Sequence, residues 1–183
     1  MTNPWHDVNI GEESPEEIHA IIEIPKNSML KYELDKETGL MKLDRVLYSS
    51  IHYPGDYGFI PQTYWDDNDP LDIIILSSFP VYPRTIVHVR PIGVIHMIDH
   101  DEHDDKIIAV YTGDPRFAGY RDITDIPEHN LLELRHFFET YKQLQGKAVK
   151  VLSIQHASFA RKYIQQAMKK YEDKFGKAAK KKK

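Results

Sequence analysis

Asp66-Asp67-Asn68-Asp69-Pro70-Leu71-Asp72 places four carboxylates in seven residues, and the apolar run Ile73-Ile74-Ile75-Leu76 follows without a spacer. Like charges this dense, set against a segment that must be buried, destabilise a fold unless a cation sits among them. The donors are hard oxygens with no thiolate nearby, which suits Mg²⁺, Mn²⁺ or Ca²⁺. An EF-hand loop does not fit: counted from Asp66, Pro70 stands where that loop needs Asp or Asn, and Leu71 where it needs Gly. Asp, Asn and Pro are also ordinary turn formers. The segment alone therefore fits an acidic turn as well as a metal site, and the metal reading requires ligands from elsewhere in the chain.

Such ligands exist. Glu23 interrupts the apolar run Ile21-Ile22-Glu23-Ile24. A carboxylate there either faces solvent on an edge strand or is held by a partner, because burying it unpaired is expensive. Asp99-His100-Asp101-Glu102-His103-Asp104-Asp105-Lys106 is a second acidic cluster. Its two histidines raise Zn²⁺, but the surrounding carboxylates favour a hard cation. Neither glycine-rich phosphate cradle, Gly-x-x-x-x-Gly-Lys or Gly-x-Gly-x-x-Gly, occurs, and no Gly-x-Ser-x-Gly elbow occurs. Anion binding would then fall to Lys31, Arg45, Lys106 and Lys142, with the hydroxyls of Tyr53, Tyr57 and Tyr141.

The elements that must position these groups read as strands first and helices last. Residues 20–25 form a short apolar strand ending at Pro25. Residues 30–35 alternate, with Lys31 and Glu33 on one face and Tyr32 and Leu34 on the other, and turn through Lys36-Glu37-Thr38-Gly39 into 40–47, a hairpin pattern. Residues 53–58 read as a turn-rich segment holding two tyrosines. Strands follow at 71–76, 85–97 and 106–111, and Pro91-Ile92-Gly93 predicts a bend or bulge in the long central one. Leu131, Leu134, Phe138 and Tyr141 predict an amphipathic helix opening at Pro127-Glu128. After a last strand at 147–154, a second helix spans 158–175, with Phe159, Tyr163, Ala167 and Tyr171 at four-residue intervals. The pattern is mainly β with α, a small β-barrel carrying helices on its outside.

With 183 residues, 41% apolar and 28% charged, the chain can bury a real core. It has no cysteine, which excludes disulfides, thiolate metal sites and a Cys nucleophile. No secretory leader and no run of about 20 apolar residues is visible, so a cytoplasmic protein without a membrane segment is expected. The net charge of −4 is uneven: without the five lysines of 177–183, 19 basic residues face 28 acidic ones, a net −9. An acidic body argues against a nucleic-acid groove, and the basic tail is expected to be a disordered end to a single domain at 1–176.

Taken together, these residues resemble the soluble family I inorganic pyrophosphatases of prokaryotic type. The family signature Asp-x-Asp-Pro-apolar-Asp-apolar stands as Asp67-Asn68-Asp69-Pro70-Leu71-Asp72-Ile73. Ile22-Glu23-Ile24-Pro25, Lys31-Tyr32-Glu33, Asp44-Arg45, Tyr53-Pro54 with Tyr57-Gly58, Arg90-Pro91-Ile92-Gly93 and Phe137-Phe138-Glu139-Thr140-Tyr141-Lys142 join it in the family's order, across about residues 10–170. The resemblance implies a five-stranded OB-type closed barrel with two helices packed outside. It implies Mg²⁺-dependent hydrolysis of inorganic pyrophosphate by direct attack of a metal-activated water, with several Mg²⁺ per site and Mn²⁺ or another divalent cation as a substitute. At this length it also implies a homohexamer.

Carried over by motif, the resemblance makes Glu23, Asp67, Asp69, Asp72, Asp99 and Asp104 metal ligands, and Asp69 the group that takes a proton from water. Lys31, Arg45, Tyr57, Lys106, Tyr141 and Lys142 would bind the phosphates, with Glu33 and Tyr53 in support. Seven carboxylates against four cations leave such a site anionic, so metal must bind before or with the polyanionic substrate. A divalent-metal-binding structural protein would explain the acid clusters but not the matched cations.

Overall fold

A computed structural model describes residues 3–99 and 102–179, the last three by backbone alone. Among them, strands β1 (Ile18–Ile24), β4 (Asp56–Phe59), β5 (Asp72–Leu76), β6 (Ile86–Asp99), β7 (Glu102–His103), β8 (Lys106–Tyr111) and β9 (Val149–His156) form one sheet; β2 (Leu30–Leu34) and β3 (Met41–Val46) form a separate hairpin. The pairing order β1-β4-β5-β8-β6 closes on itself because β1 also pairs with β6. The result is a five-stranded ring, as expected for the barrel, with β7 and β9 added along β6. Closure leaves these five strands paired on both sides.

Both faces of the sheet are covered, which accounts for the unbroken apolar runs of the strands. Ile73, Ile75, Ile107 and Ala109 pack with Ala160, Ile164 and Ala167 of helix α3 (Ala157–Ala179). Ile74, Leu76, Ile108 and Val110 pack in the cluster that holds Leu134, Phe137 and Phe138 of helix α2 (Glu128–Thr140). Of the expected stripe on α3, Tyr163, Ala167 and Tyr171 pack inward, while Phe159 is 44% exposed and the fully buried Ala160 takes its place. A strict four-residue step drifts about 40° per repeat around a helix, so it cannot stay on one face.

The long strand β6 carries its predicted irregularity between Pro91 and Gly93. Several short elements escaped the sequence reading, β4 and an N-terminal helix among them. The segment Asp56–Phe59 is a strand, not part of a turn, and a four-residue helix α1 (Pro4–Asp7) buries Trp5. The glycine that made 53–58 look like a turn is needed for the strand: a Cβ on Gly58 would lie 1.9 Å from the carbonyl oxygen of Ile21 on β1. Helix α3 continues past the expected Phe175 to Ala179, and the rest of the basic tail, 180–183, lies outside the described residues, as do His100 and Asp101.

Candidate active site

β5 and β8 run parallel, with Asp72 opposite Lys106. Parallel pairing brings both strands' leading segments to one end of the sheet, so the two acidic clusters, distant in sequence, meet there. Lys106 is 2% exposed, and its ammonium donates to Asp72 Oδ2 at 2.5 Å and to Asp104 Oδ1. The Tyr57 hydroxyl, from β4, also donates to Asp72 Oδ2, at 2.5 Å. Burial pushes the Asp72 carboxyl up against the pull of Lys106. Burial works the other way on Lys106, but Asp72 and Asp104 outweigh it and hold the ammonium well above the usual lysine range.

The segment before β5 is a tight turn. Trp65 N–H donates to the Asp69 carbonyl at 2.8 Å and Asn68 N–H to the Trp65 carbonyl at 3.1 Å, with Asn68 left-handed at φ 68°. Asparagine tolerates that conformation where most residues do not. The Asp67 side chain accepts from Asp69 N–H at 3.1 Å, fixing the turn from within. Asp67, Asp72 and Asp104 then each bring a carboxylate oxygen within 4.8 Å of the others. Burial, with Asp72 adding repulsion, pushes the Asp67 carboxyl up to about 6. Asp66 turns away to Lys170 of α3, 2.5 Å from its Oδ1.

Glu23 reaches the same place through a bulge. The β1–β4 register slips between Ile22 and Ile24, leaving Glu23 as the extra residue. Ile22 and Ile24 accordingly join different core clusters, which a regular strand would not allow. The Glu23 side chain accepts from Leu34 N–H at 2.7 Å. Burial pushes its carboxyl up to about 8, opposed by that hydrogen bond and reinforced by Asp72 and Glu33. A buried carboxyl raised this far, beside two more carboxylates raised by burial and mutual repulsion, is a donor set suited to divalent cations, which would reverse each of those shifts.

The cations are all engaged with carboxylates. On the hairpin, Lys31 lies 2.5 Å from Glu33 and 3.7 Å from Asp44, and Arg45 lies 2.5 Å from Asp44. Lys142 pairs with Asp99, and Lys36 with Asp69. Helix α2 delivers Tyr141 and Lys142 at its C-terminal end, and its Phe137 ring packs 4.8 Å from that of Tyr53. Burial pushes the hydroxyls of Tyr53, Tyr57 and Tyr141 up, so they remain protonated donors.

These groups surround a cavity of about 480 Å³. Every expected metal ligand lines it, as do Lys31, Glu33, Tyr53, Tyr57, Lys106, Tyr141 and Lys142. Arg45 does not; it stands across the hairpin from Lys31 and is turned to Asp44. Trp5, Lys36 and Glu102 also line the cavity and were not expected there. Glu102 carried a signal, as a member of the second acidic cluster, whereas Trp5 and Lys36 carried none locally. His103, the described half of the histidine pair, is exposed and off the lining.

Comparison with known proteins agrees with this geometry. The family model described as Inorganic pyrophosphatase matches residues 20–172. The chain is 44% identical over 174 residues to soluble inorganic pyrophosphatase 2 of Chlamydomonas reinhardtii, covering 95% of this chain and 91% of the relative. It is 48% identical over 169 residues to a soluble inorganic pyrophosphatase of Zea mays, covering 92% and 79%. Among solved structures, the inorganic pyrophosphatase of Thermus thermophilus superimposes with a TM-score of 0.91 at 41% identity, over 93% of this chain and 99% of that one. The matched span contains the closed ring but for the first two residues of β1, and each residue of the acidic cavity except Trp5, and the chain belongs to the inorganic pyrophosphatase family.

Proposed function

We infer that this chain hydrolyses inorganic pyrophosphate to two orthophosphates, with Mg²⁺ as its metal. Pyrophosphate hydrolysis is the activity of its family. The observation that carries the metal reading is the convergence of Asp67, Asp72 and Asp104, from two loops and the start of a strand. These three, with Glu23, Asp69 and Asp99, would hold the metal. Bound Mg²⁺ supplies a lowered water pKa and a counter-charge for the polyanion.

Asp69 accepts a proton from the attacking water on its carboxylate. It is suited to this because it is the half-exposed member of the acidic set and is fixed by its own backbone N–H to Asp67. Attack is direct, without a phosphorylated protein side chain. Lys31 steadies the leaving phosphate, joined by Arg45 once it turns from Asp44, and Tyr141 and Lys142 steady the attacked one, with Tyr57 and Lys106 completing the cradle. Glu33 and Tyr53 support these groups: Glu33 by holding Lys31, and Tyr53 by packing on Tyr57 at 5.5 Å. Lys142 is spent on Asp99, a member of the metal set, so a metal there would leave its ammonium to phosphate, which favours metal before substrate.

The working unit is the single domain at 1–176, with 177–183 as a basic tail, assembled as a cytoplasmic homohexamer. Among the described residues no helix is long and apolar enough to cross a membrane. Phe79 and Tyr82, 70% and 85% exposed, leave apolar surface available to a further copy. Phosphate release from pyrophosphate is the test of the activity. Release that requires Mg²⁺ and stops on chelation is expected, and no release in excess Mg²⁺ would overturn the assignment. Sedimentation velocity checks the hexamer.

A further inference from the structure

Lys36 opens the turn between β2 and β3, 33 residues from Asp69, yet its ammonium pairs with Asp69 Oδ1. The position is held from three sides. Asn3 Nδ2 donates to the Lys36 carbonyl at 3.2 Å, the Lys36 ammonium lies 5.1 Å from the centre of the Trp5 ring, and Trp5 is itself tied to the segment before the acidic turn. That tie is double: the Trp5 indole N–H donates to the Thr63 carbonyl at 2.7 Å, and Gln62 N–H to the Trp5 carbonyl at 2.8 Å. Trp5, Lys36 and Asp69 line the same cavity.

We propose that Lys36 is a tethered cation that competes with the divalent metal for Asp69 and so sets the metal concentration at which the site fills. This rests on the reading of Asp69 as part of the metal set. A divalent cation on Asp69 would repel the ammonium paired with its Oδ1 and withdraw charge from that carboxylate, so metal uptake weakens the hold on Lys36. The two side chains are 44% and 50% exposed, which makes the pair a weak competitor rather than a lock. Lys106 is the contrast: its side chain is 3% exposed and held by two carboxylates, and it cannot swing away. The electron-rich Trp5 face, 5.1 Å from the ammonium, would keep holding it once Asp69 lets go. Lys36 is thus a positioning residue that acts through Asp69.

Mg²⁺ titration of the metal-stripped chain by calorimetry tests this, together with tryptophan emission in a Trp65→Phe background, where Trp5 is the sole remaining tryptophan. Lys36→Gln is expected to bind Mg²⁺ about two- to fivefold tighter, and Lys36→Arg, which keeps the charge, to stay near the unaltered affinity. In an Asp69→Asn background, Lys36→Gln is expected to change nothing. Mg²⁺ should shift Trp5 emission when Lys36 is present and not in Lys36→Gln. If Asp69→Asn leaves Mg²⁺ affinity unaltered, the metal-set reading fails. If Asp69→Asn weakens Mg²⁺ binding but Lys36→Gln does not tighten it, or tightens it equally in both backgrounds, the Lys36 proposal alone is overturned.

Discussion

The carboxylates and the cations of this site are mounted on different kinds of structure. Asp72 and Asp104 flank the buried parallel pair β5–β8, and Glu23 projects from a bulge in β1, so these three acids stand on or beside the closed ring. Lys31, Lys36 and Arg45 come from the separate β2–β3 hairpin, whose residues are mostly half-buried or exposed. Like charges need a stiff mount, because any freedom would let them move apart, and burial in the ring supplies it. Opposite charges need no such mount; they find carboxylates unaided and must be able to leave them. A buried acidic half facing a more exposed basic half is an arrangement in which metal uptake would change the partners of the cations more than the positions of the acids.

The comparison predicts unequal costs. Lys106, which a ring strand carries into the cavity, should behave unlike the cations of the hairpin. Lys106→Ala leaves two carboxylates without their shared partner and should cost about 3–5 kcal/mol in the metal-free protein, read as a fall in the urea midpoint. Lys31→Ala, by contrast, should stay within about 1 kcal/mol, because its ion pairs are partly solvated. Equal losses from the two would erase the distinction between ring and hairpin.

Asp69→Asn should lower turnover at pH 7 by at least about 100-fold while leaving the urea midpoint within about 1 kcal/mol, since Asp69 is half exposed. Turnover near the unaltered rate would remove Asp69 from its proposed role. Proton linkage gives a smaller effect with a definite sign. Glu23 is raised to about 8 and Asp67 to about 6, so between the unfolded carboxylate values near 4 and these folded values the native chain binds more protons than the unfolded one. Stability of the metal-free protein from these groups is therefore fully present below about pH 4 and is lost as pH rises through 6 and then 8. Mg²⁺ requires the ionised forms. It should restore most stability at the alkaline end, with release of about one proton per chain at pH 7. Melting curves across pH with and without Mg²⁺, and calorimetry in buffers of different ionisation enthalpy, measure both. A metal-free protein whose stability rises from pH 5 to pH 8 would contradict the burial of Glu23.

Much of this was legible in residue order. The apolar runs ending at Leu76 and Tyr111 announced buried strands, and Pro91-Ile92-Gly93 announced the irregularity in β6, because covalent chemistry alone forbids a regular strand there. The acidic turn could be recognised from its composition. Where the sequence misled, a local signal had a non-local cause. Pro54, Gly55 and Gly58 look like a turn, but Gly58 is there because β1 passes too close for a side chain. The four-residue rhythm on α3 failed only at its first member: Tyr163, Ala167 and Tyr171 pack inward, but Phe159 has drifted off that face. Glu23 in an apolar strand could equally have faced solvent; a slip of one residue in the β1–β4 register is what turns it into the cavity.

By itself, then, the sequence determined which chemistry is possible: clustered hard-oxygen donors, no thiol, and lysines, an arginine and tyrosines able to meet an anion. Those properties belong to side chains and survive in any conformation. Tertiary structure decided which groups share one space. The parallel pairing of β5 with β8 put Asp72 beside Lys106, the bulge turned Glu23 inward, the hairpin turned Arg45 to Asp44, and the closing of Trp5 and Lys36 over the acidic turn gave Asp69 a partner 33 residues away. Charge interactions fall off with distance and with solvent, so they act only once the fold has fixed both.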